Sequence, residues 1–91
     1  MRFELGELYL TNGISNAKKH DIGFYIEIMT ALAYYISGEY GNIPWEDVQA
    51  NEYAILNGLR VIGCYNTSKG DIYIITEADR SCTTILFCDE Y

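Results

Sequence analysis

Between Glu77 and Thr84 the chain gathers two acids, a guanidinium and three hydroxyls: Glu77, Asp79, Arg80, Ser81, Thr83 and Thr84. These groups have the donors and acceptors for a fixed hydrogen-bond network, or for an anion pocket centred on the planar Arg80 fork. The plainer alternative is a polar turn in which Asp79 bonds its own backbone and Arg80 pairs locally with Glu77. Glu77 and Asp79 also come nearest to a paired-carboxylate site, although neighbouring acids in a turn ordinarily cap it or face water.

Nucleophilic catalysis has little to work with. A Ser or Cys nucleophile needs a base within hydrogen-bond reach, and the one histidine, His20, would have to meet Ser81, Cys64 or Cys82. His20 sits in a Lys-rich link with no orienting acid and reads as an exposed loop residue. Gly38-Glu39-Tyr40-Gly41 is too short for a phosphate loop and lacks a following Lys. Cys64, Cys82 and Cys88 have no Cys-x-x-Cys spacing, so neither a zinc site nor a cofactor is expected. All three fall in predicted strands, where buried free thiols in a reducing cytoplasm are the default. The residues therefore point away from an enzyme.

The polar corner needs strands to hold it. Ile72 to Thr76 is a β-branched and aromatic run with apolar residues on both alternating faces, which predicts a strand at the centre of a sheet. Thr83 to Phe87 is a second run of this kind. Leu59 to Asn66 predicts the preceding strand, with a hairpin turn at Thr67-Ser68-Lys69-Gly70. Upstream, a strand is predicted from Leu5 to Leu10, ended by Thr11-Asn12-Gly13, with a helical turn around Ile14 to Lys18. Phe24, Ile28, Leu32 and Ile36 recur at helical spacing and predict a helix from Ile22 to Ser37, with Asp21 as its N-cap and Gly38 as its stop. Pro44 in a first turn, followed by Glu46 and Asp47, predicts a second helix from Trp45 to Asn57, closed by Gly58. In it Trp45, Val48 and Ile55 share a side that Glu52 interrupts, so part of the helix faces water or a partner.

This order predicts an α+β fold over residues 1–91. It is a small two-layer single domain of strand, helix, helix and three-stranded antiparallel meander, with the helices on one sheet face. The first strand can join beside Leu59 to Asn66 or beside Thr83 to Phe87.

An apolar fraction of 49% is enough for a packed core, even though a chain of this size buries only ~60–65% of its unfolded surface. A formal charge of −7 repels phosphate backbones, which argues against direct nucleic-acid binding; it suits a basic partner, although acids scattered in ones and twos also serve solubility alone. No signal peptide and no apolar segment of ~20 residues is evident, so the expectation is a cytoplasmic protein that does not enter a membrane.

Several segments carry a resemblance: Gly38-Glu39-Tyr40-Gly41, Glu46-Asp47 followed by Asn51, Asn57-Gly58-Leu59-Arg60, Tyr65, Ile74-Ile75-Thr76-Glu77-Ala78-Asp79-Arg80-Ser81, Thr83-Thr84-Ile85-Leu86 and Glu90-Tyr91. Together they resemble a family of small uncharacterised proteins of bacterial plasmids, prophages and other mobile elements. Leu5-Gly6 and Thr11-Asn12-Gly13 are weaker matches. The chain departs from the family at Tyr40, where a Trp is usual, and at Cys88, where a Pro is common. The resemblance implies a genomic setting rather than a reaction.

Size, charge and the missing catalytic set, together with the setting that the mobile-element resemblance implies, lead to the expectation of a non-enzymatic interaction protein that blocks a host defence complex, of the anti-CRISPR or antirestriction type. Its expected partner is a basic host protein or a nucleic-acid-handling complex. Glu46, Asp47 and Glu52 would supply charge, with Tyr40, Trp45 and Tyr53 as aromatic anchors. The alternative is a small-ligand or nucleotide-sequestering protein that uses Arg80, Ser81, Thr83 and Thr84 around a phosphate. An unpaired strand edge leaves homodimerisation open.

Overall fold

Two side-chain caps set the first half of the computed structural model, which describes residues 3–91. Thr11 accepts from the Ile14 amide and starts α1 (Asn12–Lys18), a full short helix where the sequence predicted a single turn. Asp21 accepts from the Phe24 amide at 3.0 Å and starts α2 (Ile22–Ile36). Each cap satisfies an amide that the first helical turn leaves without a partner. The expected second helix is α3 (Trp45–Asn57), ended by Gly58 in the left-handed conformation at φ 65°. Four strands complete the chain: β1 (Glu7–Leu10), β2 (Val61–Tyr65), β3 (Ile72–Thr76) and β4 (Cys82–Phe87). A 3-10 turn over Cys88–Glu90 follows.

The strands form one sheet in the order β1-β4-β3-β2. The three-stranded antiparallel meander is present, with β3 at its centre. The sheet differs from a simple meander because β1 joins β4 in parallel, with Tyr9 opposite Thr84. The chain thus leaves one edge of the sheet, runs through all three helices and enters β2 at the other edge, as parallel pairing requires.

Alternation along the strands decides which residues meet the helices. Val61, Thr76 and Thr83 form one cross-strand row, and Gly63, Ile74 and Ile85 the next. Val61, Ile74 and Ile85 of these rows pack with Phe24, Ile28, Leu32 and Tyr35 of α2 and with Ile14 of α1 in a single core. Tyr35 reaches through this layer, and Gly63 leaves the room that its ring and the Tyr65 ring occupy. The Tyr35 hydroxyl donates to the Val61 carbonyl at 2.9 Å and meets the Thr76 hydroxyl at 2.7 Å. Thr83 donates to the Leu5 carbonyl, and Thr76, 2.7 Å from both the Tyr35 and the Thr83 hydroxyl, donates its one proton to either of them. This chain of hydroxyls satisfies the polar groups of an otherwise apolar layer, and burial keeps the Tyr35 phenol protonated far above neutral pH.

The outer edge of β2 is closed by the chain itself. Asn51 of α3 bonds both backbone groups of Ile62. The Cys64 amide donates to the Tyr40 carbonyl, and the Cys64 carbonyl accepts from the Asn42 amide. Gly41 makes the second contact feasible: its φ is 77°, and a Cβ there would collide with the Cys64 carbonyl. Among the described residues, no helix is long and apolar enough to cross a membrane.

Candidate partner-binding face on helix α3

Helix α3 has two sides of opposite character. Asn51 and Ala54 are buried, with Val48 and Ile55 packed on the core beside them. On the other side Trp45 is 67%, Tyr53 62% and Leu56 85% exposed. With Gln49 between them, positions 45, 49, 53 and 56 trace one stripe along the helix. Glu46 and Asp47 are exposed in the first turn and Glu52 is half-buried, while the helix carries no Lys or Arg. The two first-turn acids suit the positive end of the helix dipole. Large apolar groups held open beside Glu46 and Glu52, with Asp47 round the helix on the side of Asn51, fit the recognition of a basic, partly apolar surface.

Leu56 belongs to this stripe and was not singled out from the sequence. Its spacing from Trp45 and Tyr53 is the signal that marks it.

Tyr40 is a correction. It is only 2% exposed, with its ring edge-on to Tyr35 at 6.1 Å, so it is a core residue and not a surface anchor. The cause is local: pairing of residues 40 and 42 with Cys64 pulls this segment onto the sheet edge and turns the ring inward.

The Glu77 to Thr84 corner is a joint. Arg80 adopts φ 60°, the left-handed conformation, and its guanidinium turns back onto the chain. It donates to the carbonyls of Leu59 at 2.5 Å, Glu77 at 3.1 Å and Ala54 at 3.0 Å, and lies 5.7 Å from the Phe3 ring centroid. The fork thereby binds the C-terminal end of α3 to the β3–β4 turn. The Glu77 carboxylate faces Arg60 at 3.5 Å instead of Arg80. Asp79 accepts from the Ser81 amide at 2.9 Å, and the Ser81 hydroxyl and amide hold its carboxyl below the usual range. The Thr83 hydroxyl lies inside the sheet. Arg80, Ser81 and Thr83 therefore do not converge on an open site, and the corner acts on α3 as a buttress.

A cleft of about 440 Å³ separates α3 from the sheet face opposite α2. Asp47, Asn51, Arg60, Tyr73, Ile75 and Tyr91 contribute to its lining. Arg60 reaches the Tyr91 hydroxyl at 3.4 Å, and the Tyr73 and Tyr91 rings meet edge-on at 5.6 Å. The cleft has an apolar floor with opposite charges at Asp47 and Arg60.

His20 is exposed between α1 and α2. The three cysteines are free and half-buried, and Cys88 lies in the 3-10 turn rather than in a strand. Burial, and then the neighbouring Cys88, push the Cys64 thiol up to about 11, which keeps it protonated and weakly nucleophilic. Among the described residues, no three His, Cys, Asp or Glu side chains gather to hold a metal ion. No family model, no curated protein and no solved structure matches the chain.

Proposed function

We propose that this protein is a non-enzymatic inhibitor from a phage or other mobile element. It would act in the host cytoplasm by binding a basic surface of a defence complex, of the anti-CRISPR or antirestriction type. One observation carries the reading: α3 presents Trp45, Tyr53 and Leu56 to solvent, flanked by Glu46 and Glu52, on a helix that has a third acid, Asp47, and no Lys or Arg of its own. Aromatic side chains left open on a well-anchored helix supply the buried contacts that dominate interface energy. The acids beside them raise the encounter rate with a positive groove and exclude the phosphate backbone that would otherwise occupy it. The mobile-element resemblance of the segment from Gly38 onward supports the same setting.

The test is inhibition. The protein is titrated into purified CRISPR effector complexes and restriction enzymes, with cleavage and binding measured at low and high salt. Support is a stoichiometric loss of cleavage that weakens with salt and with Trp45→Ala. Binding indifferent to both, or no inhibition across the panel, overturns the reading.

A further inference from the structure

Helix α2 is apolar on both sides. Its inner face buries Phe24, Ile28, Ala31, Leu32 and Tyr35. Its outer face holds Ile22, Tyr25, Ile26, Met29 and Tyr34, which are 40% to 72% exposed. Only one charged residue lies in the helix, Glu27, and its carboxylate accepts from the Ser68 amide and hydroxyl at the β2–β3 turn. A helix apolar all round is ordinarily covered on both sides, and here the chain covers one.

We propose that a second copy of this chain covers the other side, with the two α2 helices packed antiparallel about a two-fold axis near Met29. Three observations favour a copy over another partner. First, the chain carries a charge of −7, so most of its surface repels a second copy, whereas the one carboxylate of α2, Glu27 at the rim of its outer face, is engaged by the Ser68 amide and hydroxyl. A mainly apolar face is complementary to itself, as a two-fold interface requires.

Second, charge at the two ends of the helix is arranged for antiparallel pairing. Lys18 and Lys19 precede the N-terminus and Glu39 follows the C-terminus; Lys19 and Glu39 each stand ten positions from Met29. A two-fold axis at Met29 sets the lysines of each copy toward Glu39 of the other and opposes the helix dipoles.

Third, the face has relief. Thr30 and Ala33 form a shallow groove between Tyr25 and Tyr34, flanked by Ile26 and Met29. The exposed Ile22 and Ile26 side chains of one helix can enter that groove on the other. Five partly exposed apolar side chains make a small patch for a specific interface, so weak, reversible association is expected. This pairing is independent of the α3 reading.

Sedimentation equilibrium of the intact chain across a micromolar concentration series tests it. The expected result is a reversible rise from the 10.4 kDa monomer to twice that mass. Met29→Glu and, separately, Ala33→Arg should each weaken association at least tenfold while leaving the thermal midpoint of the monomer unchanged. Lys18→Glu with Lys19→Glu should weaken it several-fold, and adding Glu39→Lys should restore it. A monomer at every concentration, or a dimer indifferent to Met29→Glu and Ala33→Arg, overturns the proposal; reversal without rescue by Glu39→Lys overturns the antiparallel arrangement.

Discussion

The Asn51 carboxamide pairs with Ile62 as a neighbouring strand would: its Oδ1 accepts the Ile62 amide at 3.1 Å and its Nδ2 donates to the Ile62 carbonyl at 2.8 Å. Since Cys64 is paired with Tyr40 and Asn42, the outward-facing groups of β2 are taken up within the chain. An open edge invites another strand, and here a helix and a loop close it. Strand addition at β2 is blocked, and β1 is the terminal strand at the other side of the sheet.

Replacing Asn51 with Leu keeps the shape and removes both bonds, leaving a part-buried amide and carbonyl of Ile62 without their partner. The expected loss is about 2–4 kcal/mol, or roughly 10–25 °C in a thermal melt of so small a domain. Asn51→Asp restores the acceptor but sets a carboxylate against the Ile62 carbonyl. Its deficit should shrink as pH falls and the carboxyl takes up a proton. Thermal melts at neutral and acid pH of both variants check this ordering.

Arg80 makes a second ordering testable. Arg80→Ala removes three bonds to carbonyls while keeping a side chain in the left-handed conformation, and about 2–4 kcal/mol should be lost. Arg80→Gly loses the same bonds but relieves the backbone by about 1 kcal/mol. Arg80→Lys keeps a charge without the fork and should fall between wild type and glycine. An alanine variant as stable as wild type would remove the clamp from the account. A loss of phosphate binding with no loss of stability would return Arg80 to a ligand role.

Local periodicity made most of the elements legible. The spacing of Phe24, Ile28, Leu32 and Ile36 yields α2, the Pro44 and Gly58 boundaries yield α3, and the alternation in Ile72 to Thr76 yields β3. What the sequence did not carry were partners distant along the chain. Nothing local sends β1 to β4, turns Tyr40 inward, or says that the Arg80 fork closes on α3, since each depends on which segments tertiary packing brings together. The candidate site was half legible for the same reason: exposure on α3 is set by what covers its other side.

Acid stability should follow three carboxylates. Asp21 is held below its ordinary value of 3.8 by the Phe24 amide and then by Lys69, and Asp79 below the same value by the Ser81 hydroxyl and amide. Glu90 is held below 4.5 by the Phe87 amide and then by the Thr11 hydroxyl. A carboxyl whose pKa is lower folded than unfolded stabilises the fold above the unfolded value. That contribution declines as pH drops from the 3.8–4.5 range through the lower folded values. Chemical denaturation at several pH values should show a plateau above that range and a fall below it. In Asp21→Asn with Glu90→Gln the fall should be shallower, because two of the titrating groups are gone.

The α3 face separates encounter from residence, and kinetics on an inhibited effector can tell them apart. Glu46→Gln, Asp47→Asn and Glu52→Gln together remove the charge of the helix and leave its apolar stripe. Association should then slow about tenfold at low salt, with the difference shrinking as salt approaches the range where the Debye length is ~8 Å. Trp45→Ala should instead act on dissociation, because an anchor forms its contacts after encounter, and a loss of about 2 kcal/mol corresponds to a roughly 30-fold faster off-rate. Tyr53→Ala should act in the same direction. Trp45 is two-thirds exposed and stands at the first helical position, away from the buried Asn51 and Ala54, so its removal should leave the thermal melt nearly unchanged. If the triple variant altered only dissociation, or Trp45→Ala only association, the division of labour drawn from this face would be wrong, because screened charge acts at a distance and ring burial acts only in contact.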